Sequence, residues 1–203
     1  MTANRSAAIS LVVLFVFLVS SALGRSPEES PDGPEAVKVY LTEQEALAKA
    51  FPGADSVRAV VWAPSPGQRL RIERRLGWRL EPGPFTVYAG YQAGNVVGYS
   101  TVGEEVGLYR PITFMVKVSP EGKVDGVRVM VYRESRGGEV RRRRFLAQYD
   151  GRTADSPMRI NRDIIGVTGA TLSVRALNAG VKKAATLIDV GFVSRDGMQS
   201  ARD

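Results

Sequence analysis

Residues 111–132 read PITFMVKVSPEGKVDGVRVMVY. Ile112, Phe114, Val116 and Val118 alternate with Thr113, Met115 and Lys117. Beyond the turn Ser119-Pro120-Glu121-Gly122, Val127, Val129 and Val131 alternate with Arg128, Met130 and Tyr132. Successive side chains of a strand point to opposite faces, so period two on both sides of a Pro-Gly turn predicts an antiparallel hairpin. The alternation sets Tyr132 with Arg128 and Met130, on the face away from the valines.

Working outward, Phe85–Tyr91 and Val96–Val102 flank Gln92–Asn95 as a second hairpin. Ser56–Ala63 (SVRAVVWA) reads as a further strand. Thr42-Glu43-Gln44-Glu45 is a capping box that starts a short helix, with Leu47 and Phe51 on one face and Pro52-Gly53 as its stop. Residues 67–80 carry Leu70, Ile72, Leu76 and Leu80 among five arginines and predict a short basic amphipathic helix. A longer helix is expected from Leu172 to Ile188. Val174, Leu177, Val181, Ala184 and Ile188 would turn inward, with Arg175, Asn178 and Lys182 on the other face. The sum is an α+β fold, a mainly antiparallel sheet with flanking helices.

The 203-residue chain is 44% hydrophobic and 24% charged, enough for one packed core. It has no histidine and no cysteine. That excludes Ser-His-Asp and Cys-His catalysis, thiolate chemistry, disulfides, and His- or Cys-ligated metal sites. No metal site and no catalytic side chain is assigned, so redox work in such a chain needs a borrowed cofactor. The formal net charge of +7 would suit nucleic acid.

The N-terminus argues against that partner. Residues 1–24, MTANRSAAISLVVLFVFLVSSALG, have Arg5 as their only charged side chain and an apolar heart at Leu11–Val19. Ala22 and Gly24 stand three and one residues before a cleavage point, which is the layout of a secretory signal. Residues 7–24 are also long enough for an uncleaved membrane anchor, and both readings stand. No cysteine follows to carry a lipid. Residues 25–36, RSPEESPDGPEA, read as a flexible linker, 37–193 as the domain and 194–203 as a tail. The expected location is the periplasm or the extracytoplasmic face of the cytoplasmic membrane. Nucleic acid drops out there, leaving the membrane surface or an acidic protein face to meet the positive charge.

Gly166-Val167-Thr168-Gly169-Ala170-Thr171-Leu172-Ser173 stands directly before the last helix. Small residues let a ligand approach the backbone, and the first N–H groups and dipole of a helix suit a phosphate. The plainer reading is a helix start capped by Thr171 or Thr168. Arg141–Arg144 is a four-arginine run open to three readings: a docking patch for a partner or anionic headgroups, a contact to a phosphate, or a solvated face. Trp62, Trp78, Tyr88, Tyr91, Tyr99, Tyr109 and Tyr132 are the aromatics able to stack on a planar cofactor, with Tyr99 foremost.

Thr168-Gly169-Ala170-Thr171 resembles the Ser/Thr-Gly-Ala-Thr signature of the FMN-binding domain family, which includes the FMN-carrying subunits of sodium-translocating NADH:quinone reductase and of Rnf-type complexes. Glu134-Ser135-Arg136-Gly137-Gly138 is similar to the Glu-Thr-Pro-Gly-Leu-Gly loop of the same family, with Arg136 in place of Pro. The resemblance spans roughly Phe85 to Gly191. It implies FMN joined through its phosphate to Thr171 by a flavin transferase. Thr168, Gly169, Ala170, Leu172 and Ser173 would surround the attachment, and Glu134, Ser135 and Gly137 would lie beside the flavin. It further implies electron transfer with redox partner proteins at the membrane. Many members carry Asp three residues before the signature, where this chain has Ile165, with Asp163 out of register. Two other readings stay open: a stand-alone flavin-dependent reductase, and a flavin-free exported binding or scaffold module.

Overall fold

The computed structural model describes residues 37–134 and 136–194. The signal or anchor of residues 1–24, the linker 25–36, Ser135 and residues 195–203 of the tail lie outside the described residues. The elements in chain order are β1 (Lys38–Val39), α1 (Glu43–Ala50), β2 (Ser56–Trp62), α2 (Pro66–Leu76), β3 (Phe85–Gln92), β4 (Asn95–Val106), β5 (Pro111–Val118), β6 (Val124–Tyr132), α3 (Arg143–Leu146) and α4 (Thr171–Ile188). The fold is α+β: one six-stranded antiparallel sheet in the order β1-β6-β5-β4-β3-β2, with helices on both faces.

Local chemistry accounts for the first helices. In α1, Thr42 Oγ1 accepts from Glu45 N, and the Glu45 carboxylate accepts from Thr42 N at 2.8 Å. The same reciprocal box opens α2, through Ser65 and Gln68. The α2 helix ends at Leu76, short of the expected residue 80, because Gly77 adopts the left-handed conformation that closes helices. Leu80 is still buried, held where its N–H donates to Glu73 Oε1. Leu70, expected on the apolar face, is exposed, and Ile72 and Leu76 alone carry that face.

Each face of the sheet has its own apolar layer. On one, α4 lies across β4 and β5 with α2 beside it, over Val87, Phe114, Val116, Val118, Val127 and Val129. Gly180 makes this possible: a Cβ there would overlap the Phe114 ring. On the other face, α1 covers Met115 and Met130, the residues that alternation sets opposite the valines. Phe51 lies against Gly90, where no side chain would fit.

Two departures from simple periodicity shape the molecule. Phe114 pairs with Val129 and Thr113 with Val131, so Met130 is an extra residue in β6, a β-bulge. Beyond it the parity reverses, and Tyr132 turns to the α4 face instead of staying with Arg128 and Met130. The second departure concerns the polar side of α4. Residues 147–165 fold over it, so Asn178 is buried, accepting from Tyr149 Oη at 2.6 Å and donating to Met158 O at 2.7 Å. Lys182 donates to the carbonyls of Ala154 and Ser156. Of the three residues expected on an open face, Arg175 alone is exposed.

Candidate functional site

The Thr168–Thr171 turn leads directly into α4. Gly169 has φ +75°, a conformation that disfavours side chains and favours glycine. Ala170 occupies the N-cap position, and no side chain caps the helix. The alternative of a plain start capped by Thr171 or Thr168 is therefore not what the chain does. Thr171 is the first helical residue and is exposed, as are Thr168 and Leu172. A solvent-facing hydroxyl thus stands in the first turn of an 18-residue helix whose leading N–H groups receive no side chain.

The bulge at Met130 connects this turn to the second motif. Tyr132 Oη lies 3.0 Å from Ser173 Oγ and donates to Arg136 O at 2.5 Å. One buried phenol therefore joins the first turn of α4 to the loop after β6. Gly137, at φ +81°, sits in the same angle. A Cβ on it would stand 2.9 Å from both Ala170 Cβ and Tyr132 Oη. The two motifs, more than thirty residues apart in sequence, are in contact.

Glu134 serves that loop in another way. Its Oε1 accepts from the N–H groups of Tyr109 (2.7 Å) and Arg110 (2.9 Å), fixing the β4–β5 turn beside the loop. That turn exposes Leu108 and Tyr109, the latter 80% accessible. Ile165, 76% accessible, and Leu172 are the exposed apolar side chains on the Thr171 side. Asp163 does not reach the turn. It accepts from Arg159 N and Nε, which holds its carboxyl below the usual carboxylate range.

Sequence reasoning missed Tyr132 as the joint between the motifs, because alternation set it on the wrong face. It also ranked Tyr99 above Tyr109. Tyr99 packs on Phe192 with ring centroids 5.4 Å apart, past the C-terminal end of α4. It is therefore about a helix length, roughly 27 Å, from Thr171. Among the described residues, no group of three Asp or Glu could hold a metal ion, and no helix is long and apolar enough to cross a membrane.

The fit to a flavin mononucleotide can be judged from these residues. A phosphate has an uncapped helix start and a free hydroxyl, and a close backbone approach is open at Gly169, whereas the space beside Gly137 is filled by Ala170 and Tyr132. The exposed apolar side chains that a planar ring could use are Leu108 and Tyr109, on the turn that Glu134 holds, and Ile165 and Leu172, which flank the Thr168–Thr171 turn in sequence. Residues 107–186, which contain both motifs, match the family model of the FMN-binding domain, and FMN is its cofactor. No curated protein matches the chain. Solved structures similar to it include Shewanella oneidensis NqrC, 15% identical over 70% of this chain and 68% of that one, with a TM-score of 0.42. Another is the corresponding NqrC-type component of the Na(+)-translocating NADH-quinone reductase from Parabacteroides distasonis ATCC 8503, 13% identical over 75% and 85%, with a TM-score of 0.48.

Proposed function

We propose that this chain is an exported electron-transfer protein whose FMN is attached by a phosphoester to Thr171. The observation that carries the reading is the exposed Thr171 hydroxyl at the uncapped start of α4, inside the segment that matches the FMN-binding domain. Leading N–H groups of α4 and the Thr168 hydroxyl would hold the phosphate, with Gly169 and Ala170 leaving room for it. Leu172, Leu108 and Tyr109 would pack on the ring system. Tyr132, Ser173 and Gly137 act one step back, fixing the angle between the two loops. Glu134 positions the β4–β5 turn. Bound there, FMN supplies the capacity to accept and release electrons one or two at a time, which no side chain of this chain offers.

Residues 37–193 are the functional domain in this reading. Residues 1–24 export it or, through 7–24, keep it on the extracytoplasmic face of the membrane. Attachment needs a flavin transferase, and electrons come from and go to membrane-bound redox partners. A covalent bond suits that location, where a lost cofactor is not readily replaced.

The test is to export the chain in a host that makes a flavin transferase, denature it fully, and read intact mass and flavin fluorescence. The expected polypeptide is fluorescent and heavier by FMN less one water, and its Thr171→Ala counterpart is dark. A yellow native protein that yields a dark denatured polypeptide would replace the covalent bond by noncovalent FMN, with Ile165 as the first position to revert to Asp. A colourless native protein would overturn the reading in favour of a flavin-free module.

A further inference from the structure

The N-terminal edge of the sheet carries a charge pattern that flavin binding does not use. Two grooves meet there and share Arg141. One, of about 400 Å³, lies between Lys38, Arg136, Arg141 and Arg142. The other, of about 490 Å³, is bordered by Lys49, Arg128, Arg141 and Arg143. Lys38, Arg136 and Arg141–Arg144 are all exposed. Arg141 rests its guanidinium 4.5 Å from the Tyr40 ring centre, which keeps it extended across the edge.

Cations outnumber the carboxylates that line the two grooves. Glu134 is taken by two backbone N–H groups, and Asp125 pairs with Lys117 at 2.6 Å. Glu134, Glu139 and Asp150 keep their charge against seven cations, so the edge still presents a net positive field.

The position of this face in the chain points to its occupant. Lys38 and Tyr40 are among the first described residues. Residues 25–37 separate Lys38 from the uncharged stretch that ends at Gly24, and even fully stretched they span about 45 Å. A domain tethered so closely by its basic edge meets the phosphates of the bilayer first. We infer that the face formed by Lys38, Arg128, Arg136, Arg141, Arg142 and Arg143 docks on anionic phospholipid headgroups. Gly137 lines the first groove and also packs against Ala170, so docking brings the Thr171 turn to the membrane surface, where a membrane-bound redox partner is within reach. The inference rests on the membrane-proximal part of the proposed function and not on flavin attachment.

The full chain would be mixed with vesicles of phosphatidylcholine alone, or of phosphatidylcholine with phosphatidylglycerol. Flotation and backbone hydrogen exchange at residues 136–144 would then be read. Protection of that segment on the phosphatidylglycerol vesicles alone, lost in high salt and not reproduced by inorganic phosphate, is the expected result. Each of Arg136→Gln, Arg141→Gln and Arg142→Gln should lower the docked fraction about fivefold. A chain that floats with both vesicle types but shows equal exchange keeps its anchor and overturns the docking face. A chain that floats only with phosphatidylglycerol upholds the face and overturns the anchor, and one that floats with neither overturns both. Protection by polyglutamate without any response to phosphatidylglycerol would assign the face to an acidic protein and overturn the inference.

Discussion

At the scale of single residues, the site depends on Tyr132 and Gly137 more than on the residues that would touch the cofactor. Tyr132 Oη bonds both Ser173 Oγ and Arg136 O, and burial pushes its phenol above the ordinary range. Tyr132→Phe leaves the carbonyl and the hydroxyl without that partner, at a cost of about 1–3 kcal/mol. The loss should register as a lower thermal midpoint, and the Thr171 turn, no longer tied to its neighbouring loop, should take up less flavin. A variant with unchanged stability and flavin content would remove Tyr132 from the joint. Gly137→Ala is expected to be harsher. It combines a left-handed backbone with a Cβ 2.9 Å from Ala170, and the strain alone is worth on the order of 1–3 kcal/mol. The Thr-Gly-Ala-Thr turn was legible in the sequence mainly because its four consecutive residues resemble a family signature; small residues before an amphipathic helix are local too, but a weaker signal. Its contact with Gly137 was not, since nothing local to residue 137 states which distant turn it will meet.

At the scale of elements, the four long central strands, β2 and the Thr42–Glu45 capping box could be read directly, for their causes lie within a few residues, while the equally local Ser65–Gln68 box went unread. The bulge at Met130 could not. Met130 is apolar whichever face it takes, so the pattern carries no mark of the extra residue, yet that residue brings Tyr132 to the site. The buried polar side of α4 was hidden for a similar reason. Asn178 and Lys182 look like solvent-facing residues until residues 147–165 are laid over them. The consequence is testable. Asn178→Ala strands both Tyr149 Oη and Met158 O in the interior, and about 1–3 kcal/mol should be lost. For a domain of this size that lowers the thermal midpoint by roughly 2–4 °C per kcal/mol. Differential scanning calorimetry of the two proteins decides it, and an unshifted midpoint would mean that the covering segment lifts off without cost. Gly180→Ala tests the same helix from its apolar side. Although alanine is the better helix former, the Cβ would overlap the Phe114 ring, so the substitution should destabilise despite its propensity.

At the scale of the whole molecule, buried phenols set the alkaline limit of the fold. Tyr149 has no exposed surface, and burial drives its pKa well above the ordinary value for tyrosine, as it does to a lesser degree for Tyr132. The folded state therefore keeps protons that the unfolded chain gives up near pH 10. A group raised in the folded state contributes its stability in full below the unfolded pKa and loses it as pH climbs toward the folded one. Stability should accordingly decline above about pH 10, by up to about 1.4 kcal/mol per pH unit for each such group. Lys182, whose pKa is lowered by burial, acts in the opposite sense, but it does so equally in a variant that leaves it untouched. Tyr149→Phe isolates the phenol. The variant should be less stable than the parent near neutral pH, where the bond to Asn178 is missing, and its decline above about pH 10 should be shallower. Urea unfolding from about pH 8 to about pH 11 should therefore show two curves that converge as pH rises. Curves that stay parallel would mean that Tyr149 ionises without opening the fold, and that the alkaline limit belongs to other groups.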